Sequence, residues 1–220
     1  GGLPGLVFDG TDDCLITTSA KAVGGQLGVA MVIRRDELRN DDRLFSLHTA
    51  ATNPTLTSGD ILTAAMDAND GILLFWDFAS GSWEYFRPVI PATTDTVLAV
   101  VRGESEISWT ANGLRARGTS LDDSPAAPST GQPTLSGTCY FHVGKRSTNL
   151  FFRGRVSEIV IWNEPYDCTH RPWIEGFLCH KYRITLPSWH PFSASAPSIG
   201  PHSEGQPMTA IRDRKSTRLN

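Results

Sequence analysis

The chain has 220 residues, 40% hydrophobic and 20% charged, with a net charge of −3, enough for one domain with a sizeable core. No basic block is present, so the electrostatic footprint for nucleic acid is absent. No apolar run approaches the roughly 20 residues that span a bilayer, which argues against membrane insertion.

Twenty glycines and fourteen prolines suit many turns and few helices. Leu6-Val7-Phe8 and Cys14-Leu15-Ile16 are short strand signals around the turn-forming run Asp9 to Asp13. Gln26 to Arg34 is a nearly continuous apolar run of strand length, as expected for a central strand. Leu44 to Leu47 begins another strand, and Ala50 to Asp60 reads as a surface loop. Ile61 to Met66, Ile72 to Phe78 and Trp83 to Val89 form a meander, its first turn at Asp67 to Gly71. Thr96 to Arg102 and Glu106 to Ala111 pair across Gly103-Glu104-Ser105, and Asn112-Gly113 is the strongest two-residue hairpin turn, leading into Leu114 to Arg117. Gly118 to Gly137 is a long polar excursion. Cys139 to Val143 and Arg155 to Trp162 complete about eleven short strands, the pattern of an antiparallel sandwich.

Past Asn163 the period changes. Trp173, Ile174, Phe177, Leu178 and Tyr182 fall on one stripe of a helix, with Asp167 or Thr169 as cap and Pro172 in the first turn. His180, Lys181 and Arg183 sit near its C-terminus, favourable against the helix dipole. One short helix on a β domain must cover an open side of it. Residues 193–212 have almost no apolar content and read as a disordered tail or linker. Residues 213–220 resemble an in-frame translation of a short-read sequencing adapter and are set apart from the fold.

Cys14, Cys139, Cys168 and Cys179 show no metal-binding spacing. Cys168 and Cys179 are roughly 16 Å apart along a helix, too far to bridge. Cys14 and Cys139 could pair if their strands are neighbours, and free buried thiols are the alternative. The chain opens Gly1-Gly2-Leu3-Pro4 without a secretion signal, which leaves the compartment open.

Several pieces, in order, resemble laminin-G-like, concanavalin-A-like jelly rolls. They are Phe8-Asp9-Gly10-Thr11-Asp12-Asp13 with Cys14-Leu15, then Asn112-Gly113, His142-Val143-Gly144, and Phe152 to Trp162. The ending, Ile174 to Tyr182 followed by Leu186-Pro187-Ser188-Trp189-His190-Pro191-Phe192, is similar to the variant found in phage virion and tail proteins and large bacterial surface proteins. Cys14 replaces the usual aromatic, a departure that touches packing only. The resemblance implies an all-β, two-sheet antiparallel jelly-roll sandwich over residues 1–192 with one short C-terminal helix, displayed extracellularly or on a virion. Its partners would be a glycan or cell-surface polysaccharide, or neighbouring structural protein chains.

The catalytic members of that superfamily carry E-x-D-x-E on one strand, and no such motif occurs here. Glu104 and Glu106 form the only E-x-E, and the adjacent Gly103 and Ser105 make it a turn with solvated charges. The expectation is therefore a non-catalytic module. Calcium is the cofactor the superfamily suggests, with hard oxygen ligands from Asp9, Asp12 and Asp13 or from Asp67, Asn69 and Asp70; ordinary Asx turns account for the same residues. For sugar stacking the candidates are Trp76, Trp83, Tyr85 and Trp109, with core packing as the competing role. The histidines show no catalytic spacing; His180 reads as a helix-end residue, His190 as loop packing, and Glu158 as a buried acceptor fixing a loop.

Overall fold

The computed structural model describes residues 3–25, 27–37, 42–49, 60–66, 73–77, 82–86, 90–102, 107–115, 135–147, 150–163, 170–198 and 209–210. In chain order the strands are β1 (Leu6–Asp9), β2 (Leu15–Ile16), β3 (Lys21–Gly25), β4 (Leu27–Arg35), β5 (Asp42–His48), β6 (Asp60–Met66), β7 (Leu73–Asp77) and β8 (Ser82–Phe86). They continue as β9 (Thr96–Arg102), β10 (Ile107–Ala111), β11 (Leu114–Arg115), β12 (Leu135–Val143), β13 (Lys145–Ser147), β14 (Leu150–Phe151) and β15 (Arg153–Asn163). Helix α1 (His170–Tyr182) and the short β16 (Thr209–Ala210) follow.

Two antiparallel sheets result. The first has the order β1-β15-β4-β9-β10-β11, with β16 beside β15; the second has β2-β12-β5-β6-β7-β8, with β3 also on β12. This is the jelly-roll sandwich anticipated above, and the β6-β7-β8 meander is part of it. Side chains from both sheets meet between them: Val29, Met31, Ile33, Leu98 and Val100 against Phe45, Leu47, Met66, Phe141 and Val143. A second cluster joins the outer face of the first sheet to the helix, with Ala30, Val32, Val97, Ala99, Val101 and Trp162 under Ile174, Leu178, Cys179 and Leu186. Strand β4 thus buries both faces, which explains its unbroken apolar run. Gly28 is the register partner of Trp162, and the indole lies flat on it: a Cβ there would stand 2.0 Å from the ring.

The Asn112-Gly113 turn joins β10 to β11 as expected, with φ of 51° and 78°, the positive pair of a type I′ hairpin. Asn112 Oδ1 accepts the Val97 N–H at 2.8 Å, and the Asn112 N–H is donated to Val97 O at 2.7 Å.

A bulge in β15 decides where Glu158 goes. Val156 pairs with Ile33, but Glu158 pairs with Val32, so the extra residue moves Glu158 to the helix side of the sheet. There it accepts Lys181 Nζ at 2.5 Å and Tyr182 Oη at 3.0 Å. The expectation that Glu158 fixes a loop is corrected: it fastens the last turn of the helix. Burial first, and then the Glu158 charge and hydrogen bond, push the Tyr182 phenol above its ordinary pKa.

The helix spans the expected stripe, but Ile174 and Leu178 are buried while Trp173 and Phe177 lie at its half-buried margin, stacked at 5.9 Å. Its end is a Schellman turn: the Ile184 N–H reaches Cys179 O at 2.8 Å and the Arg183 N–H reaches His180 O at 3.3 Å, with Arg183 at φ 57°. Left-handed geometry costs an ordinary residue about 1–2 kcal/mol, partly offset by glycine's greater chain entropy. Arg183→Gly is therefore expected to stabilise the domain by about 0.5–1 kcal/mol in urea unfolding, and a loss of stability would contradict this capping assignment.

The Ser193 N–H is donated to His190 O at 2.9 Å, Pro197 is buried, and Thr209–Ala210 pairs with Val160–Ile161. Cys14, Cys139 and Cys179 are free thiols. Burial raises Cys139 to about 11; burial and then the Glu175 charge raise Cys179 to about 12. Both contribute stability below pH 9 that is lost as pH rises through these values. At pH 8, iodoacetamide should modify half-buried Cys14 in the native protein and reach Cys139 and Cys179 only after unfolding, as peptide mass mapping would show.

Candidate functional site

The most elaborate polar arrangement among the described residues lies where the helix, the β10–β11 hairpin and the closing loop 185–193 converge. Glu175, on the sheet-facing side of the helix, is 2% exposed. Its Oε1 accepts the hydroxyl of Thr110 from β10, its Oε2 accepts His190 Nε2 at 3.2 Å, and Arg171, one turn earlier, places Nε 3.5 Å from Oε1. At that length the Arg171 contact is an ion pair rather than a hydrogen bond. Thr110, Arg171 and His190 are all buried, so each group must be paired within the protein.

The histidine tautomer follows from its neighbours. The Phe192 N–H is donated to His190 Nδ1 at 3.2 Å, so Nδ1 carries the lone pair and Nε2 the proton given to Glu175. His180 Nε2 in turn donates to Phe192 O at 2.7 Å. Gly113 of the type I′ turn passes beneath the loop; a Cβ there would stand 2.9 Å from His190 Cδ2 and from Leu186 Cδ2. His190 is buried in the closing loop, as its reading as loop packing had it, and its bond to Glu175 also links that loop to the helix. The available signal was the i,i+4 pair Arg171–Glu175, charged residues in line with Cys179 on a helix whose neighbouring positions are apolar.

The expected stacking residues fall in two places. Trp76 on β7 and Trp83 on β8 are direct register partners in the second sheet, and Tyr85 pairs with Leu74. The row continues through Thr63, Ser46 and His142, three buried polar residues. Trp109 is on β10 in the first sheet, opposite Val100, so it does not join the others.

Of the calcium candidates, Asp9, Asp12 and Asp13 place carboxylate oxygens within 4.8 Å of one another on the largely exposed turn after β1. Asp13 Oδ2 accepts the Asp9 N–H at 2.9 Å and Asp9 Oδ1 accepts the Thr11 N–H at 2.7 Å. The donors suit a hard cation, which takes six to eight oxygens; the turn's own hydrogen bonds also account for the cluster. Asp67, Asn69 and Asp70 lie outside the described residues, as do Glu104 and Glu106.

No protein-family model and no curated protein matches the chain. Solved structures do. Domain 4 of AbnA, a GH43 extracellular arabinanase from Geobacillus stearothermophilus solved with arabinotriose, is 17% identical, with 72% of this chain and 70% of that one covered at a TM-score of 0.53. A heptameric SAP-like pentraxin from Limulus polyphemus is 19% identical, with 71% and 74% covered at 0.53. Domains LG4-5 of mouse laminin α1 are 15% identical, with 73% and 40% covered at 0.46. At these identities the likeness to the arabinanase domain and the pentraxin is one of fold, a jelly-roll sandwich. Among the described residues no helix is long and apolar enough to cross a membrane.

Proposed function

We propose that the domain is a non-catalytic carbohydrate-binding module displayed outside the cell, with its sugar surface on the β7–β8 hairpin. The observation that carries this is the direct pairing of Trp76 with Trp83 across that hairpin, since two cross-strand aromatics form a platform on which sugar rings stack. Tyr85, two residues on from Trp83, falls on the same face of the strand, whereas Trp109 belongs to the other sheet. The arabinotriose bound by the arabinanase domain gives a first ligand to try. Calcium at Asp9, Asp12 and Asp13 would be separate from this surface, because β1 lies in the first sheet. On a glycan array supplemented with arabinotriose, wild type should bind at least one glycan. Trp83→Ala should weaken that binding about tenfold or more, roughly 1.4 kcal/mol, while Trp109→Ala leaves it unchanged. Absence of binding by wild type would remove this reading.

A second reading, an assembly module packed against other chains in a surface or virion structure, is favoured by the outer strands. Val7 is 70% exposed on β1, which ends the first sheet, and Leu15 is exposed on β2, which ends the path of the second; apolar side chains on open strands are pairing surfaces. Stable oligomers in sedimentation that Val7→Lys dissociates, without glycan affinity, would establish it.

A further inference from the structure

We propose that the cleft above the Thr110–Glu175–His190 cluster is a second ligand site, which takes one uncharged sugar residue through its hydroxyl hydrogens and one apolar ring face. The cleft, open to solvent on one side, offers about 280 Å³ between the helix, the β10–β11 turn and the closing loop. That is just below the roughly 300–1,000 Å³ of pockets for drug-sized ligands and suits a single small ring. Trp189 stands at its wall and is 53% exposed. Its neighbours His190 and Leu186 are buried, so the loop packs inward while leaving this indole in solvent beside a cavity.

The floor selects the ligand's chemistry. The Thr110 hydroxyl proton and the His190 Nε2 proton are both given to Glu175, and His190 Nδ1 is taken by the Phe192 N–H. The capacity left on these three side chains is for accepting, on the carboxylate oxygens and on Thr110 Oγ1. Acceptors recognise ligand donors, either hydroxyl or ammonium. Arg171, 3.5 Å from the carboxylate, compensates its charge, which removes the advantage of a cation and favours neutral hydroxyls. The indole face and Pro191, which also line the cleft, then suit the C–H face of a sugar ring rather than a fully polar ligand. This site lies on the helix side of the first sheet, so it stands independently of the tryptophan pair on β7–β8.

The test is an NMR titration of the full chain with methyl β-glucopyranoside, methyl β-galactopyranoside, methyl α-mannopyranoside, methyl α-arabinofuranoside and choline chloride, each to about 50 mM, a range that detects millimolar affinity. At least one glycoside should shift the Trp189 indole N–H together with the Thr110 and Gly113 amides. Trp189→Ala should weaken this at least tenfold with an unchanged melting temperature, and Trp83→Ala should leave it intact. Because Trp189→Phe keeps a ring face, it should retain measurable binding. The proposal is overturned if no glycoside moves these signals, if Trp189→Ala binds like wild type, or if choline binds more tightly than every glycoside. Glycoside shifts confined to 73–77 and 82–86 would refute this site while leaving the β7–β8 surface standing.

Discussion

Glu175→Ala is expected to lower the stability of the domain by about 3–5 kcal/mol, the cost of breaking a buried ion pair by removing one partner. Truncation removes the carboxylate beside Arg171, leaves the Thr110 hydroxyl and the His190 Nε2 proton without their acceptor, and takes away one of the two bonds from the helix to the closing loop, the His180–Phe192 bond remaining. The helix then keeps its apolar contacts, Ile174 and Leu178 among them, but loses its only charged anchor on the β10 side among the described residues. A surface pair makes the contrast: Arg153–Glu37 is bonded at 3.0 Å with both side chains about half exposed, and Glu37→Ala should cost no more than about 1 kcal/mol. Replacing Arg171 and Glu175 together by methionine should recover only the part of the loss that comes from the uncompensated charge, because the Thr110 hydroxyl and the His190 Nε2 proton still lack their acceptor. Urea unfolding of the four proteins decides this, and a Glu175→Ala cost below about 1 kcal/mol would contradict the assignment of the cluster as the fastening of the helix.

Gly154→Ala should be at least as damaging, about 3 kcal/mol or more. Gly154 sits in β15 at φ 149°, between Phe8 of β1 and Arg35 of β4, and a Cβ there would stand 2.1 Å from the Arg34 carbonyl oxygen. Backbone cannot give way as a flexible side chain can, so the sheet itself must part. Gly137 separates the two contributions. Its φ is 120°, but a Cβ would meet nothing within 4 Å, so Gly137→Ala should show only the conformational cost of about 1–3 kcal/mol. Equal effects at the two positions would mean that φ rather than the contact with Arg34 governs.

The local elements were legible because local chemistry specifies them. The apolar run 26–34, the Asn112-Gly113 turn and the helix period after residue 170 each became the element expected. Strand β3 was not legible: Lys21-Ala22-Val23-Gly24-Gly25 has neither alternation nor β-branched density, and it is a strand because β12 pairs with it. The site was harder for a related reason. Trp83 and Trp109 look equivalent along the chain, yet the crossing from β8 to β9 carries the chain into the other sheet, and nothing local to either tryptophan encodes that. Glu175 gained its partners from β10 and from a loop fifteen residues on, and the bulge after Val156 turned Glu158 toward the helix. Contacts of this kind depend on register, and one extra residue reverses them.

The most direct test of carbohydrate binding is an amide chemical-shift titration of the full chain with arabinotriose and the strongest glycan from the array. The expected result is saturable shifts in residues 73–77 and 82–86, greatly reduced in Trp83→Ala. A spectrum with no shifts in those segments, at concentrations that saturate the array signal, would contradict it.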